Sequence, residues 1–380
     1  MISIDVETTT INKGDPFYPD NKLVSVGTYQ ESTLYKSNFN LKYKEGNWNG
    51  SFTLLNETLV GHNIKFDLHW LKRVGIDFST CKVRDTQLAE FIISNQTHAY
   101  ASLNELAAKY LDQQKIDTIK LNYWDKGIDT WFIPQEELEE YLCEDLRLTL
   151  EVYKIQEKIL KESGKWPLYL LHCADLLVLE EMEWNGILYD KEQSVLLGDN
   201  LESSIKKLTD SIISFSSCPN IFNVNSGDHV SALLYGGTIT EKRHIPIGIY
   251  KSGAKIGQPR FKIDIIKYPH LKLVEPLKGS ELKKDGYFST DEETLLSLKT
   301  KDKKVKELIS NILSLSKLEK LRGTYYHGIP KLMDKNGWRD GVIHSQLNQC
   351  VARTGRLSSS NPNQQNFDPE VKKLCRSRYD

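Results

Sequence analysis

The 380-residue sequence has no C-x-x-C pair: its six cysteines, Cys81, Cys143, Cys173, Cys218, Cys350 and Cys375, are scattered. That scatter argues against a zinc ribbon or a disulfide framework and suits a reducing compartment. No apolar run approaches the length needed to cross a bilayer. The N-terminus resembles no secretion signal, because a strand carrying acids starts at Ile2. Nor is there an overall charge of one sign, since the net value is −1. That balance hides an asymmetry. Residues 1–240 hold 22 Lys+Arg against 35 Asp+Glu, a net −13, whereas residues 241–380 hold 28 against 16, a net +12. A basic back half attracts polyanions, of which nucleic acid is the common one; lysine-rich solvated helices are the plainer explanation.

The rest of the composition is that of a globular protein: 39% hydrophobic residues, with 18 Tyr and 7 Trp. The length exceeds what one core usually supports, so two or three domains are expected. In the opening stretch Ile2, Ile4 and Val6 alternate with Ser3, Asp5 and Glu7. A strand with this pattern puts Asp5 and Glu7 on one face. KLVSVGTYQ and STLYKS read as further strands, and LVGHNI as a short strand leading into the helix FDLHWLKRVGI. RDTQLAEFIIS and SLNELAAKYL read as helices. PQEELEEYLCEDLRLTLEVYKIQEKIL reads as a long one with Pro134 near its first turn. Strands followed by helices predict an α/β layer fold.

Acids recur at three places. Asp5 and Glu7 share a strand, Asp67 opens a helix in N-I-K-F-D, and Asp145 closes Y-L-C-E-D one helical turn after Tyr141. Singly, each has an ordinary role: a helix-start acid for Asp67, a core tyrosine for Tyr141, an ion pair with Arg147 or a lysine for Asp145. Jointly, four carboxylates on a buried strand, a helix start and an inward helix face need neutralising. Hard divalent cations choose such oxygens, and two of them about 4 Å apart serve displacement at phosphorus. A tyrosine hydroxyl beside the last acid can orient the attacking water.

D-V-E, N-I-K-F-D and Y-L-C-E-D, in this order and spacing, resemble the three motifs of the DEDD 3′→5′ exonucleases, and Tyr141 resembles the mark of their DEDDy branch. The resemblance implies a ribonuclease-H-like fold, Asp5, Glu7, Asp67 and Asp145 as ligands of two Mg²⁺ or Mn²⁺ ions, and Tyr141 positioning the nucleophilic water. It also implies Asn63 near the primer terminus. Asp85 is read as structural.

Beyond residue 165, LLHCADLLVLEEMEWNGILYD reads as a helix ending at Asn185-Gly186 followed by a short strand. SGDHVSALLYGG reads as a helix capped by Ser226 and stopped at Gly236. Residues 237–290 suggest a β-ribbon or ordered loop. FSTDEETLLSL restarts helix with Thr290 as cap, and Val305, Leu308, Ile312 and Leu315 stripe a long amphipathic helix with lysines opposite. IHSQLNQCVARTGRLSSSNPNQQN is rich in donors suited to sugar, phosphate and groove acceptors. Its T-G-R-L-S-S and N-P-N-x-Q-N strings resemble the start of the palm of family A DNA polymerases, with LEEMEWNGILYD and FNVN…LLYG resembling earlier blocks.

That resemblance implies a 3′→5′ exonuclease domain over 1–160, palm-adjacent helices and a mostly helical thumb over 161–330 with an insertion at 237–290, and an incomplete palm over 331–380. It implies Arg353, Arg356, Asn363 and Gln365 as DNA contacts, and bacteriophage-like relatives. The polymerase metal-binding acids of the family lie beyond KKLCRSRYD, so the chain is expected to be a fragment or one piece of a split polymerase, unable to extend primers alone. Expected partners are a single-stranded DNA 3′ end and primer–template duplex, with a C-terminal polymerase part or a processivity factor, and no membrane. The expected location is the cytoplasm of a bacterial or phage-infected cell. Two alternatives stand beside this reading: a non-catalytic primer–template-binding fragment, and a free-standing DEDDy exonuclease acting on RNA. Residues 331–380 hold few strands and are expected to be partly disordered.

Overall fold

The computed structural model describes residues 1–31, 38–44, 48, 54–113, 117–338 and 340–379. By internal contacts it divides into one unit of residues 1–191 and 329–380 and a second of residues 192–328.

The first unit is built on a mixed five-stranded sheet of β1 (Ile2–Thr8), β2 (Leu23–Gln30), β3 (Asn38–Tyr43), β4 (Thr58–Gly61) and β5 (Lys82–Asp85), in the order β3-β2-β1-β4-β5. β1 to β3 pair antiparallel, while β4 and β5 join parallel to β1. This is the α/β class expected. The expected strand STLYKS lies outside the described residues. β5 is a strand where the alternation-poor RDTQ stretch read as helix; the helix begins only after Asp85 caps it. The helices are α1 (Lys65–Arg73), α2 (Thr86–Ile93), α3 (Leu103–Leu111), α4 (Thr118–Asn122), α5 (Gln135–Glu162) and α6 (Trp166–Asn185), the last leading into β6 (Ile187–Tyr189).

Ile2, Ile4 and Val6 are buried on one side of β1, and Ser3 and Glu7 on the other. Both faces of the sheet are therefore covered, as in sheets flanked by helices. Leu138, Leu142 and Leu146 recur at helical spacing on α5 and are fully buried. α5 comes close to the sheet because position 27 is glycine: a Cβ there would sit 2.7 Å from Leu146 and 3.0 Å from Leu142. Gly27 pairs with Asp5 across β1 and β2.

The second unit contains α7 (Lys191–Asn200), α8 (Glu202–Ile213), α9 (Gly227–Tyr235), the two-stranded ribbon β7 (Gly236–Ile249) and β8 (Pro259–Lys272), α10 (Glu292–Ser297) and α11 (Lys303–Lys320). Its core joins Ile205 and Ile212 of α8, Leu233 and Leu234 of α9, and the expected α11 stripe Val305, Leu308, Ile312 and Leu315. Ser226 caps α9 as expected, accepting from the His229 N–H at 3.4 Å. Thr290 does not cap α10: Asp291 does, accepting from the Thr294 N–H at 2.7 Å, because its carboxylate is the stronger acceptor at the positive helix end.

The chain then returns to the first unit through α12 (Gly328–Lys335), β9 (Val342–Ile343), β10 (Gln346–Asn348), β11 (Ser358–Ser360), α13 (Pro369–Lys372) and β12 (Cys375–Arg376). β6 supplies the central strand of the sheet β12-β6-β9, and β10 pairs β11. The segment read as partly disordered is thus paired, with a strand from residue 187 onward completing what it lacks.

Candidate metal centre

Asp5 and Glu7 point from β1 toward α5, two residues apart on one face. β1 shifts register against β2 between Glu7 and Thr8, a bulge of the kind that re-aims side chains beside sites. Asp145 comes from α5, held against the sheet by Leu142 and Leu146. Carboxylate oxygens of Asp5, Glu7 and Asp145 all lie within 4.8 Å of one another. Glu7 is 8% exposed and Asp145 9%. Arg147, one candidate partner for Asp145, reaches Glu151 and Gln113, each at 2.9 Å.

Asp67 stands beside this cluster, outside the three-membered set. It occupies the first turn of α1, and its Oδ1 accepts from the Val6 N–H at 3.2 Å. Burial, and then the negative charge of Asp5, push its carboxyl well above the usual carboxylate range. Tyr141 lies one turn before Asp145, half-buried, with Trp124 packed edge-on at 5.8 Å. Burial and the charges of Asp145, Glu7, Asp117 and Asp5 hold its phenol protonated.

An all-carboxylate donor set at this spacing fits hard divalent cations and no soft metal. Like charges packed so closely favour a positive ion among them. The buried acids elsewhere in this unit serve structure instead. Asp85, 3% exposed, accepts from the Ile64 and Leu88 N–H groups, both at 2.7 Å, while burial raises its carboxyl to about 6. Glu90 takes bonds from Lys109 and Tyr110, each at 2.6 Å.

None of the residues expected to meet DNA belongs to the three-acid set. Asn63, at φ 57°, lines a cleft of about 620 Å³ together with Lys65, Gln87, Tyr100, Gln346 and Asn348, so an exonuclease-motif residue and the segment before T-G-R-L-S-S share one cleft. Arg353 and Arg356 are exposed. Asn363 and Gln365 brace their own turn: Asn363 Oδ1 accepts from the Gln365 N–H at 3.1 Å, and Gln365 Nε2 donates to the Leu357 carbonyl at 3.1 Å.

Sequence reading missed the tie between this segment and the N-I-K-F-D motif. Lys65 Nζ donates to Glu183 Oε1 and to the Leu347 carbonyl, both at 2.5 Å. His69 sits buried against Glu183 at 2.8 Å and Glu180 at 3.2 Å. Nothing in the sequence singles out Glu183, since α6 also carries Asp175, Glu180 and Glu181.

Set against known families, residues 1–161 match the profile of the 3′-5′ exonuclease and residues 255–379 that of DNA polymerase family A. DNA polymerase I of Chloroflexus aurantiacus is 29% identical over 311 residues, covering 80% of this chain and 28% of that protein. DNA polymerase I of Treponema pallidum is 27% identical over 312 residues, covering 82% of this chain and 26% of that protein. The chain therefore spans just over a quarter of the length of these relatives. A solved structure, the POL domain of Pol1 from M. smegmatis in complex with DNA primer-template and dNTP, matches 98% of this chain and 53% of its own, with a TM-score of 0.64 at 16% identity. At that identity the likeness is one of fold. No helix among the described residues is long and apolar enough to cross a membrane.

Proposed function

We propose that this chain, whose residues 1–161 match the 3′-5′ exonuclease profile and residues 255–379 that of DNA polymerase family A, carries the exonuclease and part of the polymerase domain of such an enzyme and hydrolyses single nucleotides from DNA 3′ ends. The observation that carries this reading is the gathering of the Asp5, Glu7 and Asp145 carboxylates within 4.8 Å. We read 1–160 as the exonuclease domain, 161–330 as thumb with palm-adjacent helices, and 331–380 as the start of the palm.

In this reading Asp5, Glu7 and Asp145 hold two Mg²⁺ or Mn²⁺ ions, with Asp67 as the fourth acid on the β1 side. Such ions, when bound, lower the pKa of water and neutralise charge building on the leaving oxygen. Tyr141 keeps its phenolic proton and orients the attacking water from one turn before Asp145. Water oxygen bonds to the terminal phosphorus, the bond from phosphorus to the 3′ oxygen breaks, and a nucleoside 5′-monophosphate leaves. Asn63 steadies the terminal nucleotide, and Arg353, Arg356, Asn363 and Gln365 belong to the surface that meets primer–template duplex. The bacterial relatives support a cytoplasmic location.

Two observations weigh against the alternatives. The family match extends far past the exonuclease segment, which a free-standing RNA exonuclease does not require. The clustered acids exceed what a binding-only fragment needs. A time course on 5′-labelled single-stranded DNA tests the proposal. Wild type with Mg²⁺ is expected to shorten the strand stepwise and EDTA to stop it. Asp145→Asn should cut the rate about 1,000-fold or more, the scale of several kcal/mol of lost charge stabilisation. Equal rates for wild type and Asp145→Asn would reject it.

A further inference from the structure

In the proposed reaction the Tyr141 hydroxyl orients the attacking water. Helix α5 fixes where that side chain starts, but a tyrosine turns about two further bonds, and the second is broad. The segment just before α5 restrains it. Residues 123–133 reach the end of β1 with one side chain and the Tyr141 ring with another.

The reach to β1 is made by Asp129. Its Oδ2 accepts from the Thr10 N–H and from the Thr10 hydroxyl, each at 2.7 Å, three residues beyond Glu7. Its Oδ1 accepts from the Trp131 N–H at 2.8 Å, so the same carboxylate caps the short turn Thr130–Phe132. Burial works against the charge, yet the bonds from Thr10 and Trp131 hold the carboxyl below the usual carboxylate range. Hydrogen bonds to a charged oxygen are the strong kind.

The reach to Tyr141 is made by the next residue. Thr130 is 1% exposed, and its Oγ1 accepts from Trp124 Nε1 at 3.1 Å. That bond sets the rotation of the indole, which meets the Tyr141 ring edge-on at 5.8 Å and 82°. An edge-to-face pair constrains direction as well as distance. Both rings pack on Val24, Ile119, Ile133 and Leu138. The far end of the segment is tied down as well, because the Tyr43 hydroxyl donates to the Ile133 carbonyl at 3.0 Å.

We propose that Trp124, Asp129 and Thr130 are positioning residues: they brace the Tyr141 phenol against the turn that follows Glu7, and so set the direction from which Tyr141 presents water to the acids. The proposal rests on the exonuclease reading. In it none of the three residues touches the reacting atoms, and each acts through Tyr141.

The test uses the full chain, single-turnover digestion of 5′-labelled single-stranded DNA with Mg²⁺, and a melting curve for each variant. Asp129→Ala should slow digestion about tenfold, the scale expected of a misplaced group rather than a missing one, with the strand concentration for half-maximal rate unchanged. Asp129→Asn keeps an acceptor and should recover most of the rate. In a Tyr141→Phe background, Asp129→Ala should cost nothing more, because no hydroxyl is left to position. Thr130→Val keeps the shape of the buried side chain and removes only the acceptor for the indole. It carries the same expectations should Asp129→Ala melt early. A second readout needs no activity: with tyrosines labelled ¹³C at Cζ, the line missing from Tyr141→Phe is that of Tyr141, and Asp129→Ala should shift it. If wild type fails to digest while that line still shifts, the exonuclease reading falls and the brace stands. Losses that multiply between Asp129→Ala and Tyr141→Phe, or a Tyr141 line unmoved by both Asp129→Ala and Thr130→Val, overturn the brace.

Discussion

The acid cluster between β1 and α5 and the ribbon of the second unit differ in every physical respect that matters for their use. Asp5, Glu7 and Asp145 are held by a sheet covered on both faces and a 28-residue helix, with the oxygens within 4.8 Å of one another. The ribbon carries the opposite charge, stands in solvent and depends on two strands alone. The proposed chemistry at phosphorus would require oxygens fixed to a fraction of an ångström, and the acids sit where packing leaves little freedom. An exposed basic ribbon provides reach and charge at small cost to the core. Position therefore comes from burial in one region, and reach from exposure in the other.

The sharpest way to probe that contrast within the acid cluster is Tyr141→Phe. It removes one hydroxyl and leaves the ring against Trp124. Digestion should slow roughly 10- to 100-fold with thermal stability unchanged, whereas Ile263→Ala in the ribbon should leave digestion alone. Single-turnover rates on the labelled strand, beside a melting curve, check both halves.

A second comparison concerns packing. Leu142 is fully buried against the sheet and Ile263 is 53% exposed. Leu142→Ala should cost about 3 kcal/mol in urea unfolding, through lost burial and the cavity left behind. Ile263→Ala should stay within about 0.5 kcal/mol of wild type. Equal losses would mean that the ribbon is packed in solution and would break the contrast.

The smallest expected effect is a pH dependence confined to the first unit. His344 Nδ1 lies 2.8 Å from the Glu183 carbonyl and the ring stacks on Phe17 at 4.1 Å. Burial lowers its pKa to about 4. Between pH 6.5 and 4 the unfolded chain takes up a proton that the folded ring refuses, so stability falls as pH falls through that window. The ring is partly exposed, and the loss should amount to about 1 kcal/mol. Asp85, raised to about 6 by burial, acts in the opposite sense, and His62, lowered to about 4 by burial, in the same sense. Both are common to wild type and His344→Gln, so the difference between their stability–pH curves isolates His344.

What could be read from the chain was whatever local periodicity encodes. The alternation through Ile2, Ile4 and Val6 marks β1. The four-residue step from Tyr141 to Asp145 marks one face of α5, and Ser226 and Gly236 mark the ends of α9. Contacts between distant residues were not legible. Nothing local says that Asp67, 61 residues from Val6, spends one oxygen on its backbone N–H. Nor does anything local say that Lys65 reaches Leu347 across 282 residues. β5 was hidden because it is four residues long and runs directly into α2. Asp291 displaced Thr290 as a cap because adjacent capping residues look alike until the backbone is fixed. Residues 237–290 read as a β-ribbon or an ordered loop, but their lack of cover was not legible, since exposure belongs to the whole arrangement.

Gly27 has a consequence for how this centre can be altered. The close approach of α5 to β2 is kept by a missing side chain beside Asp5, so the proposed metal centre has a spacer with no functional group of its own. A side chain added at that point would press on the methyls of Leu41 and, on the helix that carries Asp145, of Leu142 and Leu146, while every acid of the cluster remained in the sequence.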